Sequence, residues 1–433
     1  MSTSVIDSKL NKEAFKLAGI EMKFFIPMTI VVVGAMYMGA LPKGMLGAFP
    51  LLMIMGAILN EIGNRTPIVK DYFGGGPIVA IFGAAAFISY GVIPESTAAI
   101  ITSFMKGEGF LNFYIAALIT GSILGMSRDL LIKASLRYLP VIVGGVACAI
   151  LLTGVMGSVL GYGFTQAVFY IAVPIMGGGM GAGAVPLAQI FGDAMQKDPA
   201  ELLSLMVPAV ALGNAVAIVM GGLLNKLGKK RSELSGEGKL LKGAEVEVET
   251  EEEFIPLTAE VLGKGLLFAT SFFIFGSVLA KFIALHPYAL MILSVAAAKA
   301  LGVIPREYEQ CAAQWFGFIM KNFTPALLVG IGVAYTSLDA VISAFTPTYL
   351  ILILTTLIGA VVGCAVVGHL FGFYAIEGAI TAGLCMANMG GTGDVAVLSA
   401  ANRMSLMPFA QISSRIGGAF MLILTTFLIR VFL

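Results

Sequence analysis

The sequence predicts an all-α polytopic membrane protein with about eleven full transmembrane helices, two re-entrant hairpins and inverted-topology repeats. Three observations carry this reading. The 433 residues are 58% hydrophobic and only 12% charged, against roughly 25% charged in a soluble domain. Apolar runs of about 20 residues, the length that crosses a bilayer as a helix, recur along the whole chain. Two further apolar segments are broken midway by glycines at matching places. A β-barrel would show short alternating segments instead.

The elements follow in order. Residues 1–23 carry mixed charge and read as a cytoplasmic N-terminal tail rather than a signal peptide. An extra N-terminal crossing is placed at 24–41, followed by crossings at 45–62, 76–93, 110–127, 138–161 and 203–225. A second series occupies 264–285, 287–304, 322–337, 347–370 and 408–431. "RDLLIKASLR" (128–137) spaces basic residues around an apolar face and reads as a helix lying in the interface. Residues 226–256 shift from basic to acidic and read as a solvated, mobile cytoplasmic linker. The chain thereby divides into repeat 1 (45–225, hairpin 165–192) and repeat 2 (257–433, hairpin 373–404).

Arg65 and Lys70, then Arg128, Lys133 and Arg137, then Lys229 to Arg231 fall on one side of this arrangement. The opposite side receives Lys43, Lys106, Lys197, Lys281 and Arg430. Basic residues gather on the cytoplasmic side, so the N-terminus and linker are expected inside and the C-terminus outside. Trp315, Tyr138 and Tyr349 read as interface anchors.

The two broken segments align: Gly178-Gly179-Met180-Gly181 with Gly390-Gly391-Thr392-Gly393, then "AGAVPLA" with "DVAVLSA", and upstream "GSVLG" with "GHLFG". With five crossings per half the two units enter the membrane from opposite faces. Backbone left open in lipid costs several kcal/mol per unpaired group, so such breaks persist where protein or a water-filled cavity covers them. Paired, glycine-interrupted segments in two halves point to a transporter's binding site. Close packing of small residues is the competing explanation for any single GGxG.

Arg415, about two turns into the last crossing, is the foremost candidate. A guanidinium holds a carboxylate bidentately and keeps its charge. Ser413, Ser414 and Gly417-Gly418 beside it speak against a snorkelling arginine in lipid. Arg403 lies just before that crossing, where positive residues gather in any case. Asp394 follows the second glycine turn and serves either as a helix cap or as a cation ligand. Glu377 is either a proton or Na⁺ site or lies near an aqueous surface. Asn388, Thr392 and Ser414 offer neutral oxygens suited to Na⁺.

Other classes find little material. A net charge of +1 suggests no nucleic-acid partner, and His286 and His369 are too few for a zinc site or a histidine triad. Cys148, Cys311, Cys364 and Cys385 show no ligand spacing and read as small core residues. No nucleophile–base set or cofactor loop supports an enzyme, and no cofactor is expected.

With the GGxG pair, the repeats and "FAQISSRIGG" near the C-terminus, the chain resembles the bacterial 2-hydroxycarboxylate transporters, secondary carriers of citrate and malate, from Lys23 to the end. The resemblance implies a homodimer in the bacterial inner membrane. Each protomer would pair a transport domain with a dimerisation domain and move its small carboxylate substrate by an elevator-like shift. It implies a substrate site of Arg415 with Gly179, Met180, Gly181, Gly390, Gly391, Thr392, Gly393, Ser413 and Arg403. It further implies Na⁺ as coupling ion, held near Cys385, Asn388, Thr392 and Ser414. Citrate-specific members carry arginine where this chain has Met389 and asparagine where it has Met180. One arginine suits a dicarboxylate such as malate, and Na⁺ against H⁺ coupling stays open. The alternatives are a glutamate/sodium symporter of similar design and, from another class, the membrane subunit of a Na⁺-pumping decarboxylase.

Overall fold

The computed structural model of the chain describes residues 15–72, 75–126, 128–242, 256–283 and 285–432. A small antiparallel ribbon, β1 (Lys16–Leu17) and β2 (Ile20–Glu21), precedes the helices. The other residues of the predicted tail, 1–14, lie outside the described ones. Then come α1 (Met22–Tyr37), α2 (Met45–Arg65), α3 (Gly76–Ser89), and α4 (Glu95–Gly107) with α5 (Phe110–Leu124), which are bent by 43°. A long α6 (Arg128–Val159) leads into the first hairpin, α7 (Phe164–Ile175) and α8 (Val185–Met195), and then α9 (Pro199–Lys230). The second series is α10 (Ala259–Leu279), α11 (Pro287–Leu301), α12 (Arg306–Tyr335) and α13 (Pro347–Leu370). It closes with the second hairpin, α14 (Ala375–Leu384) and α15 (Gly391–Ala400), and the final α16 (Phe409–Phe432).

Among the described residues, seven helices are long and apolar enough to cross a membrane, or eight if α4 and α5 make one bent span. Helices α1, α3, α7, α11 and α14 are apolar but shorter. The protein is thus all-α and multi-pass.

Several sequence expectations are corrected. The segment 128–137 is not a separate helix: it is continuous with the rest of α6, whose apolar span begins at Arg137. Helix α12 starts at Arg306, well before the expected 322, and α4 was not anticipated. Both stretches carry charges that mask an apolar run, and the fold pairs several of them. Lys299 Nζ lies 2.5 Å from Glu309 in a buried pair, and Lys264 reaches Glu307 at 3.2 Å. Acidic residues in a first helical turn also complement the helix dipole.

Trp315, Tyr138 and Tyr349 are not interface anchors: all three are buried. Their polar tips or rings find partners inside: Tyr349 donates to the Leu205 carbonyl at 2.9 Å, and the Trp315 ring stacks on Phe318. The linker is not wholly solvated either. Ser235, Leu240 and Leu241 are buried, and Leu241 bridges to Phe373 beside the second hairpin. Residues 243–255 lie outside the described ones.

Two groups of helices pack mainly among themselves: α2–α5 with α10–α12, and α6–α9 with α13–α16. The tightest seam in the second group is α6 against α13. A Cβ on Gly359 or Gly363 would strike the backbone of α6 at Cys148 or Gly144. Small residues spaced four apart let two membrane helices approach this closely. The Thr153 and Thr356 hydroxyls pair across the seam at 2.8 Å. This seam feeds one hairpin from each of its helices, α7–α8 from α6 and α14–α15 from α13, and so sets where the two turns sit.

Candidate functional site at the meeting of two hairpin turns

The glycine breaks of the sequence are the hairpin turns. Gly178 and Gly179 have φ of 80° and 113°, and Gly390 has 79°, in the region that side-chain-bearing residues avoid. The turns also touch. A Cβ on Gly179 would meet the Met389–Gly390 peptide at about 3.0 Å, and one on Gly178 would meet the Ser414 carbonyl oxygen at 2.5 Å. Glycine is therefore required here twice over, for conformation and for contact.

Regular hydrogen bonding fails around this point. Of the five π-helical turns among the described residues, four surround it: Val168–Ala172, Met180–Ala184, Ala379–Leu384 and Ser413–Gly417. Wide turns of this kind concentrate at functional sites, because they release backbone groups from the α-helical ladder.

An oxygen-rich cluster lies on the second hairpin. Asp394 is fully buried in the first turn of α15. Asn388 Nδ2 donates to its Oδ1 at 2.9 Å, while Asn388 Oδ1 accepts the Gly390 N–H at 2.7 Å. Ser414 Oγ stands 3.1 Å from each Asp394 oxygen and 3.0 Å from the Cys385 carbonyl oxygen. A hydroxyl has one hydrogen to give. Three acceptors around it leave surplus lone pairs and a buried negative charge, which is the donor set of a small hard cation. Gly393 keeps this close: a Cβ there would strike Asn388 and Asn214. Asp394 is thus not the helix cap, a place held by Gly390, and its carboxylate faces the Na⁺-candidate residues.

Arg415 sits in the π turn of the last helix, next to Ser414. Its guanidinium lies 5.7 Å from the Phe316 ring of α12 and, among the described residues, makes no hydrogen bond or ion pair. A half-buried guanidinium with its donors free is a ready carboxylate receptor.

The geometry gathers Gly179, Gly390, Gly393, Cys385, Asn388, Ser414 and Arg415, with Met180 buried and Gly181 next to the Tyr114 ring. Gly391 and Thr392 open α15, and their side-chain positions lie outside the described residues. Two candidates do not join. Ser413 turns to α6 and donates to the Tyr138 hydroxyl at 3.0 Å. Arg403 lies at the far end of the hairpin, where Nε reaches Glu377 at 2.7 Å. Three more of its donors go to Asn225, Ser235 and the Ala401 carbonyl. Glu377, fully buried, also accepts from Ser235 and the Gly236 N–H. Arg403 and Glu377 are a clasp that fastens linker to hairpin, and four of the five guanidinium N–H groups are spent within it.

Sequence reasoning underrated Asp394 and missed Asn214, whose Oδ1 accepts the Met389 N–H at 3.2 Å. The available signal was an amide alone at the centre of a long apolar helix.

The chain matches the 2-hydroxycarboxylate transporter family over residues 17–427. It is 39% identical to a citrate/sodium symporter of Salmonella typhimurium over 419 residues, covering 95% of this chain and 94% of the relative. It is 38% identical to a Na⁺-malate symporter of Bacillus subtilis over 421 residues, with 97% and 94% covered. It is 37% identical to the citrate transporter CitP of Lactococcus lactis over 431 residues, with 99% and 97% covered. A match that spans both hairpins and nearly every helix leaves one conclusion: the chain belongs to the 2-hydroxycarboxylate transporter family.

Proposed function

We propose that this protein is a Na⁺-coupled secondary carrier of a dicarboxylic 2-hydroxy acid, with L-malate the favoured substrate. The observation that carries the reading is the pairing of a half-buried Arg415, which makes no hydrogen bond or ion pair among the described residues, with a buried acidic oxygen cluster beside it, where two hairpin turns meet. Arg415 takes one carboxylate in bidentate fashion, and freed N–H groups at the glycine turns take other oxygens. Asp394 with Ser414, Asn388 and the Cys385 carbonyl holds Na⁺; Thr392 was expected in the same set.

Coupling follows from electrostatics. With the cation site empty, the Asp394 charge repels an incoming dianion; with Na⁺ in place that repulsion is cancelled. Each ligand therefore raises the affinity for the other, by the same factor. Glu377, one candidate proton carrier, is already committed to Arg403. Met389 and Met180 stand where citrate-specific members hold polar residues, which favours malate over citrate.

In this reading the hairpins are re-entrant and related by inverted topology. Counting α1, α3 and α11 as crossings beside the eight candidate spans gives eleven. The group α6–α9 with α13–α16 is the moving body, and α2–α5 with α10–α12 is the stationary, dimer-forming one. Contacts between the bodies are sparse and partly polar, as at the Lys106–Asp198 ion pair (3.0 Å) and the His286–Asp193 contact (3.1 Å), which suits an elevator-like shift. The protein sits in a bacterial cytoplasmic membrane with its N-terminus and linker inside and its C-terminus outside.

The test is uptake of labelled L-malate into proteoliposomes with and without an inward Na⁺ gradient, with citrate and glutamate as competitors. Na⁺-driven malate uptake is expected. Arg415→Lys should raise the malate KM roughly 30- to 100-fold, since lysine cannot make the forked contact. Uptake driven by a pH gradient alone, or glutamate as the better substrate, defeats the proposal.

A further inference from the structure

Helix α9 carries a buried amide at its midpoint that the reading above does not use. Asn214 is the sixteenth of its 32 residues and is 0% exposed. Its Oδ1 accepts the Met389 N–H at 3.2 Å, and this fixes which way the carboxamide faces. Turned over, its NH₂ would confront another donor and the bond would be lost. The Nδ2 group consequently faces elsewhere, and it finds no partner among the described residues. An asparagine kept only for packing has both ends satisfied, because an idle buried donor is unfavourable. Half of this one is held and half is waiting.

The half that is held lies at a sensitive place. The Met389 N–H belongs to the peptide that joins Met389 to Asn388. Asn388 is the residue whose carboxamide bonds Asp394 at 2.9 Å and the Gly390 N–H at 2.7 Å. Gly393, next to Asp394, leaves room for Asn214 Oδ1, which a Cβ there would meet at 2.7 Å. The preceding residue, Gly213, lies against Ile175, immediately before the turn of the first hairpin. Adjacent residues of α9 thus touch both hairpins at the depth of the site.

We infer that Asn214 is a positioning residue for the cation site. It registers the second hairpin turn against α9, so that the Asn388 carboxamide is correctly set against Asp394. Its idle NH₂ takes an acceptor oxygen when the turn closes over a loaded site. The inference rests on the Na⁺-coupled reading of that site. Because Asn214 acts through Asn388 on the cation, the quantity that moves is Na⁺ dependence, not substrate affinity.

The experiment measures labelled L-malate uptake by the full-length chain in proteoliposomes across a series of Na⁺ concentrations. Asn214→Leu keeps the size and loses both polar ends; Asn214→Asp keeps an acceptor for the Met389 N–H. The leucine variant should raise half-saturating Na⁺ about tenfold, while malate KM at saturating Na⁺ stays within about threefold. The aspartate variant should recover most of that shift. Should the leucine variant fail to accumulate, Asn214→Ser carries the same expectation at about threefold, since its side chain is too short to reach Met389. Half-saturating Na⁺ within twofold of wild type in the leucine or serine variant overturns the role, as does a larger effect on malate KM than on Na⁺. Wild-type uptake that ignores Na⁺ sinks the coupled reading first, and this role with it.

Discussion

The two hairpins share a backbone and differ in almost everything attached to it. In each, a first arm carries a π turn, the chain reverses at left-handed glycine, and a helix returns. The first turn, "VPIMGGGMGAGA", has no polar side chain; the second brings Asn388 and Asp394 and collects Ser414 from the next helix. Their far ends differ in the reverse sense. The first is tied to the other helical group by the Lys106–Asp198 ion pair and the His286–Asp193 contact, Asp193 being 69% and Asp198 57% exposed in their side chains. The second is tied to the linker by the Glu377–Arg403 pair, 0% and 5% exposed. Repeating a backbone supplies a shape twice. The chemistry is supplied once, on the hairpin that is more firmly anchored within its own group.

Breaking that asymmetry at the turn should have the largest effect. Asp394→Asn removes the buried charge with little change of shape. Half-saturating Na⁺ for malate uptake is expected to rise on the order of 100-fold or more, as for an uncompensated buried site. Sodium titrations of proteoliposome uptake measure this, and a wild-type titration curve would show that the cation binds elsewhere.

Breaking it at the base of the second hairpin should cost stability before it costs chemistry. Glu377→Gln leaves the Arg403 guanidinium buried without its counter-ion, a loss of about 3–5 kcal/mol. Thermal unfolding in detergent should report a lower Tm, and limited trypsin digestion should cut sooner at Lys239 and Lys242 as the strap lets go. The double variant Glu377→Gln with Arg403→Gln should regain part of the loss, and an unchanged Tm in the single variant would count against a clasp. The base of the first hairpin should matter least. Asp193→Asn deletes an exposed pair worth less than about 1 kcal/mol. Its Tm should stay near wild type, with uptake within about threefold; a Tm drop matching that of Glu377→Gln would erase the contrast between the two ends.

The sequence made some of this visible and concealed the rest, for identifiable reasons. Glycine runs and an arginine stand out against an apolar background, so both turns and Arg415 could be found. Arg403 stood out for the same reason, but its partner Glu377 is 26 residues away and meets it only when α14 and α15 fold back. Asp394 was left between cap and cation ligand because the Cys385 carbonyl and Ser414 arrive from other elements. Segments 95–107 and 306–321 escaped hydropathy because they carry charges whose partners can be distant in sequence, as Asp198 is for Lys106 and Lys264 for Glu307. Pattern registers composition, whereas pairing is a property of the tertiary fold.

The docked strap has a consequence for biogenesis. Ser235 and Gly236 find their acceptor on Glu377, some 142 and 141 residues later in the chain, and the Leu240 carbonyl finds its donor on Tyr374. At a synthesis rate of about 5–20 residues per second, those partners emerge roughly 7–30 s after the strap itself. The first half of the protein therefore enters the membrane with this segment unfastened, and its last polar contacts close only once the second half has been made. A truncated or stalled chain would display the open strap, a marker of incompleteness that quality-control proteases can read.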